Sequence, residues 1–393
     1  MKFSIDRIML FCVVNIVLCL FASCAQETEI VLQKHKTITR KINPSESTEP
    51  LSLKDFSVDS ICSLVLPDSL KILETTKVTV KDDKIYLMDS KYARCVYVFN
   101  SSGNYLYKLG SRGRARYEYI GGPIDFFVDK DNSVHVFDRE GGKVVVFDKK
   151  GLVSHVAHAD SYKPYCFGLT SNKRYMFSTI HDLHDNNGNA SLILCDYTFR
   201  NVQRLLPFKN IQTSAPLDQS FFANEDKLSF IPFFSDSVLV FQKDTLSKVV
   251  KFDFGGQFIM DEIPEMATSE YSPIELGSKV SEYNGVLMLM SYQENEDMTL
   301  LHYIYNHTIY FWLYNHHTKR IVNTDKLFEG VNIGRHYWLK GKQLITVLSS
   351  EEVDYYKEYL KQRKDLIKQS SPIYKDIING EIKAPFVLYI SIK

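Results

Sequence analysis

The stretch from Lys84 to Gly151 says nearly the same thing twice, and this duplication constrains the fold more than any other feature of the chain. Its first half reads Ile85-Tyr-Leu-Met-Asp89, a polar break, Val96-Tyr-Val-Phe99, then Asn100 to Gly103. Its second half reads Val134-His-Val-Phe-Asp138, a polar break, Val144-Val-Val-Phe147, then Asp148 to Gly151. Asp89 to Asp138, Phe99 to Phe147 and Gly103 to Gly151 are each displaced by about 48 residues, within the periods that mark solenoids and propellers. A repeat of this kind predicts a fold. It names no ligand.

The remaining chain fits one large repeat domain. Its 393 residues include 24 Tyr and 25 Phe against 2 Trp, with many β-branched residues, a composition suited to pleated, half-buried surfaces. Lys plus Arg number 47 and Asp plus Glu also number 47, so no global field attracts nucleic acid.

The amino terminus carries a targeting signal. Lys2 and Arg7 precede an apolar run from Ile8 to Ala22, which ends in Phe21-Ala-Ser-Cys24. A charged start, about 15 apolar residues and a small-residue end describe a secretory signal peptide. The run is short for a membrane span, which needs about 20 residues, and Asn15 interrupts it. Small residues immediately before a cysteine resemble the lipobox of bacterial lipoproteins, which implies lipidation of Cys24 and an anchor without a spanning helix. The expected division is therefore a lipoprotein signal peptide over 1–23, a lipid-anchored flexible tether over 24–56, and a folded domain over 57–393. Polar residues, with Asn43-Pro-Ser-Glu-Ser-Thr-Glu-Pro50 at their centre, suggest the tether. Beyond the signal, Cys62, Cys95, Cys166 and Cys195 match no zinc spacing. The envelope permits disulfides and three pairings are open to them, but buried free thiols are the default reading.

Strand runs punctuated by Gly, Asn and Asp turns fill the domain, which is the all-β signature. The first unit runs from Lys77 to Leu109 and the second from Ile124 to Val156. More divergent units begin near Tyr165 and Phe221, and a fifth is read from Val280 to Tyr283, Val286 to Tyr292, Ile309 to Tyr314 and Arg320 to Asn323. A long connection from Gly255 to Gly277 is expected to hold a short helix. The sixth unit has two strands ending at Leu348, then a helical insertion from Ser349 to Lys368 that begins with a capping box. The chain ends one strand short of a complete unit, at Phe386 to Ile392, and the orphan strand Ile61 to Leu66 supplies the missing one. Pairing the two termini within one sheet protects exposed edges. The expectation is a six-bladed β-propeller of four-stranded antiparallel blades.

The run Gly103-Asn-Tyr-Leu-Tyr-Lys-Leu-Gly110, Gly113-Arg-Ala-Arg-Tyr-Glu-Tyr119 and Pro123-Ile-Asp125 resembles the NHL-type repeat. Leu73-Glu-Thr-Thr76, Phe234-Ser-Asp-Ser-Val238 and the terminal Pro385-Phe-Val-Leu-Tyr-Ile-Ser-Ile-Lys393 are similar to segments of the six-bladed, NHL-repeat-like or TolB-like propeller lipoproteins of Bacteroidetes-type bacteria. The resemblance covers roughly residues 56–393. It implies this fold and a cell-envelope, outer-membrane location, periplasmic or surface-exposed, and no general biochemical function. The Gly-Pro step usual in the glycine-rich loop is replaced here by Ala115-Arg116, and the usual Asn before the terminal proline by Ala384.

Antiparallel order places the loop after each second strand and the loop into the next blade on one face. That face gathers Arg94, Arg112, Arg114, Arg116, Arg139 and Lys143, and arginine presents a planar fork for carboxylate or phosphate. These six are the candidate ligand-binding residues, against the plainer reading of a solvated loop offset by Glu118 and Glu140. His181, Asp182, His184 and Asp185 form the best metal-like cluster; imidazole and carboxylate suit transition metals, but the segment runs into an Asn-Asn-Gly-Asn turn, and a long hydrated hairpin loop is the default reading. The repeated Asp89, Asp138 and Asp196 read as structural turn residues. No nucleophile elbow, phosphate loop or zinc-protease motif is present.

Two functions follow as expectations. The first is a non-catalytic, lipid-anchored binding or protein-interaction module, without a cofactor, whose partner is an envelope protein, peptide or glycan and which reaches the membrane through Cys24. The alternative is a hydrolase or lyase dependent on a divalent metal such as calcium or zinc, with its site at the central channel. Such a site needs converging polar groups, whereas the inner strands are mostly apolar, with Asp125 and Asp218 as sparse exceptions.

Overall fold

The computed structural model describes residues 35–52, 54–159, 164–179, 190–208, 220–224, 226–262, 273–328, 337–348, 379 and 385–393. Among the described residues two strands precede the blades, β1 (Lys36–Lys41) and β2 (Phe56–Ser63). Blade one comprises β3 (Lys77–Lys81), β4 (Lys84–Asp89), β5 (Cys95–Asn100) and β6 (Tyr105–Leu109). Blade two comprises β7 (Asp125–Val128), β8 (Val134–Asp138), β9 (Lys143–Phe147) and β10 (Val153–His158). Blade three is β11 (Pro164–Leu169), β12 (Tyr175–Thr179), β13 (Ala190–Cys195) and β14 (Gln203–Phe208). Blade four is β15 (Phe221–Asn224), β16 (Lys227–Phe230), β17 (Ser237–Gln242) and β18 (Thr245–Asp253). Helices α1 (Ile259–Glu262) and α2 (Pro273–Glu282) lead to blade five, β19 (Val286–Glu294), β20 (Met298–Tyr305), β21 (Thr308–Asn315) and β22 (Ile321–Thr324). Blade six has β23 (Trp338–Lys340), β24 (Gln343–Leu348) and β25 (Phe386–Ile392), and β2 completes it in the order β2-β25-β24-β23. The fold is all-β, six antiparallel blades in a ring.

The middle strands explain the apolar runs. Each blade is sandwiched between two neighbours, so a middle strand is buried on both faces; β8 and β9 are buried at every position. Tyr86, Val96 and Val98 of blade one pack against Phe126, Val136 and Val145 of blade two. Fully burying such side chains contributes about 1.5–3 kcal/mol each. Turn chemistry fixes the register. Asp82 and Asp83 take φ of 43° and 59°, and Asn306 and His307 take 46° and 61°, the paired left-handed geometry of two-residue type I′ hairpins.

The ring closes through its two ends. β2 runs antiparallel to β25 from Phe56↔Ile392 to Ser63↔Phe386, and the backbone N–H of Lys393 donates to Asp55 O at 2.8 Å. Gly103 abuts this closure. Its φ is +82° and an added Cβ would stand 2.0 Å from Ser63 O, so the turn after β5 fits against β2 only as glycine.

Two expectations change. The described part of the polar segment read as a tether is built into the ring. β1 pairs in parallel with β18, Lys36↔Lys248 to Lys41↔Asp253, as a fifth strand on blade four. The chain then crosses blade five, where Thr48 N bonds Asn323 O at 2.7 Å, and Leu51 N bonds Leu327 O at 2.9 Å, with Leu51 buried. A strand that covers an outer edge stays mostly solvated and needs few apolar residues, which is why its sequence reads as linker; Lys36-Thr-Ile-Thr-Arg-Lys41 alternates exposed and half-buried positions. In the fifth unit, Val280 to Glu282 end α2 and do not form the first strand, and the unassigned run Met298–Tyr305 is β20. Short apolar runs do not distinguish strand from helix. The expected insertion over Ser349–Lys368, the signal peptide and Cys24 lie outside the described residues.

Cys62, Cys95, Cys166 and Cys195 are free and buried, as the default reading held. Burial pushes the Cys95 thiol up to about 11 and those of Cys166 and Cys195 to about 12.

Candidate anion-binding cleft

Asp89, the last residue of β4, builds the walls of the candidate site. Its carboxylate is fully buried. Oδ1 accepts from the backbone N–H groups of Tyr92 and Ala93 at 2.8 and 3.2 Å, and Oδ2 from those of Leu73 and Glu74 at 3.1 and 3.4 Å. One side chain thereby fixes both the loop between β4 and β5 and the segment that enters blade one. Arg94 ends that loop at φ 51°, and a Cβ on Gly122 would lie 3.1 Å from the Arg94 Cβ, which places its stem against the entry to blade two.

Between these walls lies an open cleft of about 600 Å³, lined by Lys71, Lys91, Arg94, Lys108 and Arg112 among its charged residues, with Tyr92 and Tyr97. Lys91 pairs with Glu74 at 2.7 Å. No carboxylate lies within ion-pair distance of Lys71, Arg94, Lys108 or Arg112 among the described residues. Burial raises the Tyr97 phenol above its ordinary range, so it stays protonated and donates to Lys71 O at 3.1 Å. Tyr92 is exposed on the rim.

Of the six cations expected together, the cleft takes Arg94 and Arg112. Arg114 and Arg116 are exposed on the loop beyond it. This loop is held from within: Glu118 Oε2 accepts from Ala115 N at 2.8 Å, and Gly113 N bonds Tyr119 O at 2.9 Å. Two expectations need correcting. Lys143 is not a rim cation; it is buried, and its ammonium donates to Glu118 O at 2.6 Å and Arg116 O at 3.1 Å, a strut beneath the loop. Arg139 lies over the Tyr165 ring at 4.4 Å and joins blade two to blade three. Lys71 and Lys108 went unnoticed in the sequence because neither belongs to the arginine-bearing loops; Lys108 is simply an exposed position of β6.

The repeated aspartates fall into two classes. Asp138 matches Asp89, accepting from Ile120, Gly121 and Gly141 N–H groups at 2.7, 3.3 and 3.2 Å. Asp196 belongs with Asn100 and Asp148 instead. Each accepts from the backbone N–H groups two and four residues on, at 2.8–3.0 Å, in the turn after its blade's third strand. The structural reading of all three holds, and the spacing Asn100, Asp148, Asp196 was the better signal.

On the ring axis, β3, β7, β15, β19 and β23 enclose a cavity of about 290 Å³. Asp125 is bonded to Lys77 at 2.6 Å. The amides there serve the backbone: Gln293 bridges Tyr337 O and Leu339 N at 2.8 and 2.7 Å, and Asn224 donates to Glu294 O at 3.0 Å. Among the described residues no group of three or more His, Cys, Asp or Glu side chains could hold a metal ion. His181, Asp182, His184, Asp185 and Asp218 lie outside the described residues. No helix among the described residues is long and apolar enough to cross a membrane.

The sequence pattern of a family described as a domain of unknown function, DUF4934, matches residues 42–376. The chain belongs to the DUF4934 family. No curated protein matches the sequence. Among solved structures, this DUF4934 propeller is similar to a Bacteroides fragilis protein designated as exported, at TM-score 0.69 and 15% identity, covering 91% of this chain and 100% of that one. A DUF4221 family member from Bacteroides vulgatus matches at TM-score 0.45 and 9% identity, covering 86% and 99%. A virginiamycin B lyase from Staphylococcus aureus matches at TM-score 0.39 and 12% identity, covering 74% and 81%. At these identities the first likeness shows the fold alone, and the other two carry no argument about this DUF4934 chain.

Proposed function

We propose that this propeller is an exported, non-catalytic binding module of the cell envelope, anchored through an acylated Cys24, that takes an acidic group of a glycan, peptide or partner protein in the cleft of blade one. The observation that carries the reading is the charge of that cleft: Lys71, Arg94, Lys108 and Arg112 line it with no carboxylate in ion-pair distance among the described residues. Arginine and lysine held this way favour carboxylate or phosphate, and exposed Tyr92 adds a flat apolar surface of the kind that sugars and peptide side chains cover. Export is supported by the apolar start of the chain and by the Bacteroides fragilis protein that shares its fold.

The test is binding of the purified protein to arrays of uronic-acid and sulfated glycans and of acidic peptides, with the Arg94→Glu, Arg112→Glu double variant alongside. A ligand whose affinity falls at least tenfold in the double variant, and which weakens with added salt, supports the reading. Retention by wild type and double variant alike removes the cleft from the function. For the anchor, Cys24→Ala is expected to release the protein from membranes; unchanged fractionation refutes it.

A further inference from the structure

A ring of inner strands leaves a shaft along its axis, and what lines that shaft here differs in chemistry from the cleft. Phe127 from blade two, Phe222 from blade four and Trp338 from blade six face the cavity from alternate blades. Lys77 also lines it, but its charge is answered by Asp125, and its ammonium sits 3.9 Å over the Phe127 ring. Lys81 and Lys340 are different. Lys81 Nζ donates to the backbone oxygens of Asp129 at 2.6 Å and Val128 at 3.4 Å, leaving one of its three donors without a partner among the described residues. No carboxylate lies within ion-pair distance of Lys81 or Lys340 among the described residues. Both lysines stand at the ends of their strands, beside the turns that close the first hairpins of blades one and six, and Lys340 is exposed.

The cavity is thus aromatic along its walls and cationic toward one end. Its 290 Å³ is about ten times the ~30 Å³ that a water occupies in the liquid, room for one or two rings. Such a mostly apolar hollow with a few placed polar groups is the usual form of a small-molecule site. Its amide groups are committed to backbone, so recognition falls to the rings and the two ammonium groups. No Arg lines it, and arginine is the residue whose fork suits phosphate best. We infer that the axial cavity is a binding site for a small aromatic carboxylic acid, its ring against Phe127, Phe222 and Trp338 and its carboxylate toward Lys81 and Lys340. Burial lowers the pKa of Lys81, the nearby Asp82 and Asp129 carboxylates oppose that, and a bound carboxylate would oppose it further. The site is separate from the blade-one cleft, and neither depends on the other.

The chain contains two tryptophans; Trp312 is buried between blades and Trp338 lines the cavity, so the cavity holds its own fluorophore. The mature protein would be titrated with phenylacetate, 3-phenylpropionate and 4-hydroxyphenylacetate, and with phenylacetamide as the uncharged control, reading tryptophan emission and calorimetric heat. We expect saturable binding of at least one acid with a change in emission that disappears in Trp338→Phe. Affinity should fall about tenfold or more for the amide and for Lys340→Met, the range for losing a hydrogen bond to a charged group. Lys340 is exposed, so its variant tests the charge without disturbing the fold, and Lys81→Met is read beside it. The Arg94→Glu, Arg112→Glu variant should bind the acids as wild type does. No saturable binding of any acid at millimolar concentration overturns the inference, as does equal affinity for acid and amide, or binding lost in the cleft variant and kept in Lys340→Met.

Discussion

The guanidinium of Arg320 forks onto both carboxylate oxygens of Asp55, tying the residue ahead of β2 in blade six to the residue ahead of β22 in blade five. Hydrogen bonds from Arg320 and then Ser52 hold the Asp55 carboxyl well below the usual carboxylate range. In the unfolded chain an aspartate titrates near about 3.9. A carboxyl depressed on folding contributes stability that is fully present above that value and is lost as pH falls toward its folded pKa. The pair is partly exposed, so its contribution is about 0.2–1 kcal/mol. Urea unfolding should show Asp55→Asn less stable than wild type by that amount from pH 7 to 5, with the gap closing below about pH 4. A gap that stays constant into acid would show the pair contributes nothing through its charge.

Asp89 and Asp138 should be far more costly to replace than Asp196. Asp138 is fully buried and satisfies three backbone donors, and each buried donor left without a partner costs about 1–3 kcal/mol. Asp138→Ala is expected to lower the unfolding free energy by about 3 kcal/mol or more, whereas Asp196→Ala, in a solvated turn where water can substitute, should cost about 1 kcal/mol. Equal losses in denaturant titrations would mean the interior carboxylates are not what holds the loops.

Gly103→Ala and Gly341→Ala separate steric closure from backbone preference. Both glycines have positive φ, +82° and +55°, but an added Cβ at Gly341 meets nothing within 4 Å, whereas at Gly103 it meets Ser63 O at 2.0 Å. The Gly341 variant should lose about 1–2 kcal/mol, the cost of a left-handed L-residue. The Gly103 variant should lose clearly more, because the turn after β5 must back away from the closing strand. Matched melting temperatures would contradict this.

The four domain thiols should be silent toward a thiol reagent such as DTNB. The thiolate is the reactive form, and burial raises Cys62 above its ordinary value, as it does the other three. A form starting at residue 25 is expected to label slowly at pH 8 when folded and to show all four thiols in denaturant without a reductant. Fewer thiols on unfolding would reveal a disulfide.

Much of the ring was legible because blade strands leave a local record. Val96-Tyr-Val-Phe99 and Val144-Val-Val-Phe147 are buried throughout, and a turn such as Asp148 to Gly151 states its own geometry. The terminal pairing was also accessible, since a missing strand at one end matched a spare one at the other, although the strand read as Ile61–Leu66 runs from Phe56 to Ser63 and Val65 bridges Asn104 instead. What failed to show was everything decided across distance. β1 looks like linker because its partner β18 supplies the sheet, and Lys143 looks like a surface cation because nothing near it in sequence reveals the carbonyls of Arg116 and Glu118 above its ammonium. The cleft was half visible. Arg94 and Arg112 sit in loops whose side of the ring follows from strand order, but Lys71 and Lys108 reach it from an entry segment and a strand surface that carry no such mark.

The closure of blade six also sets a timetable. β2 is synthesised long before its partner β25, so the edge of β2 stays unpaired while the blades between them are made. An unpaired strand edge is a template for wrong partners, and contacts this distant in sequence form slowly. The four antiparallel strands of each of blades one to five come from neighbouring segments, yet the ring cannot shut before the seven-residue β25 is available. A chain lacking β25 would therefore yield an open arc, with β2 left as a template for wrong partners.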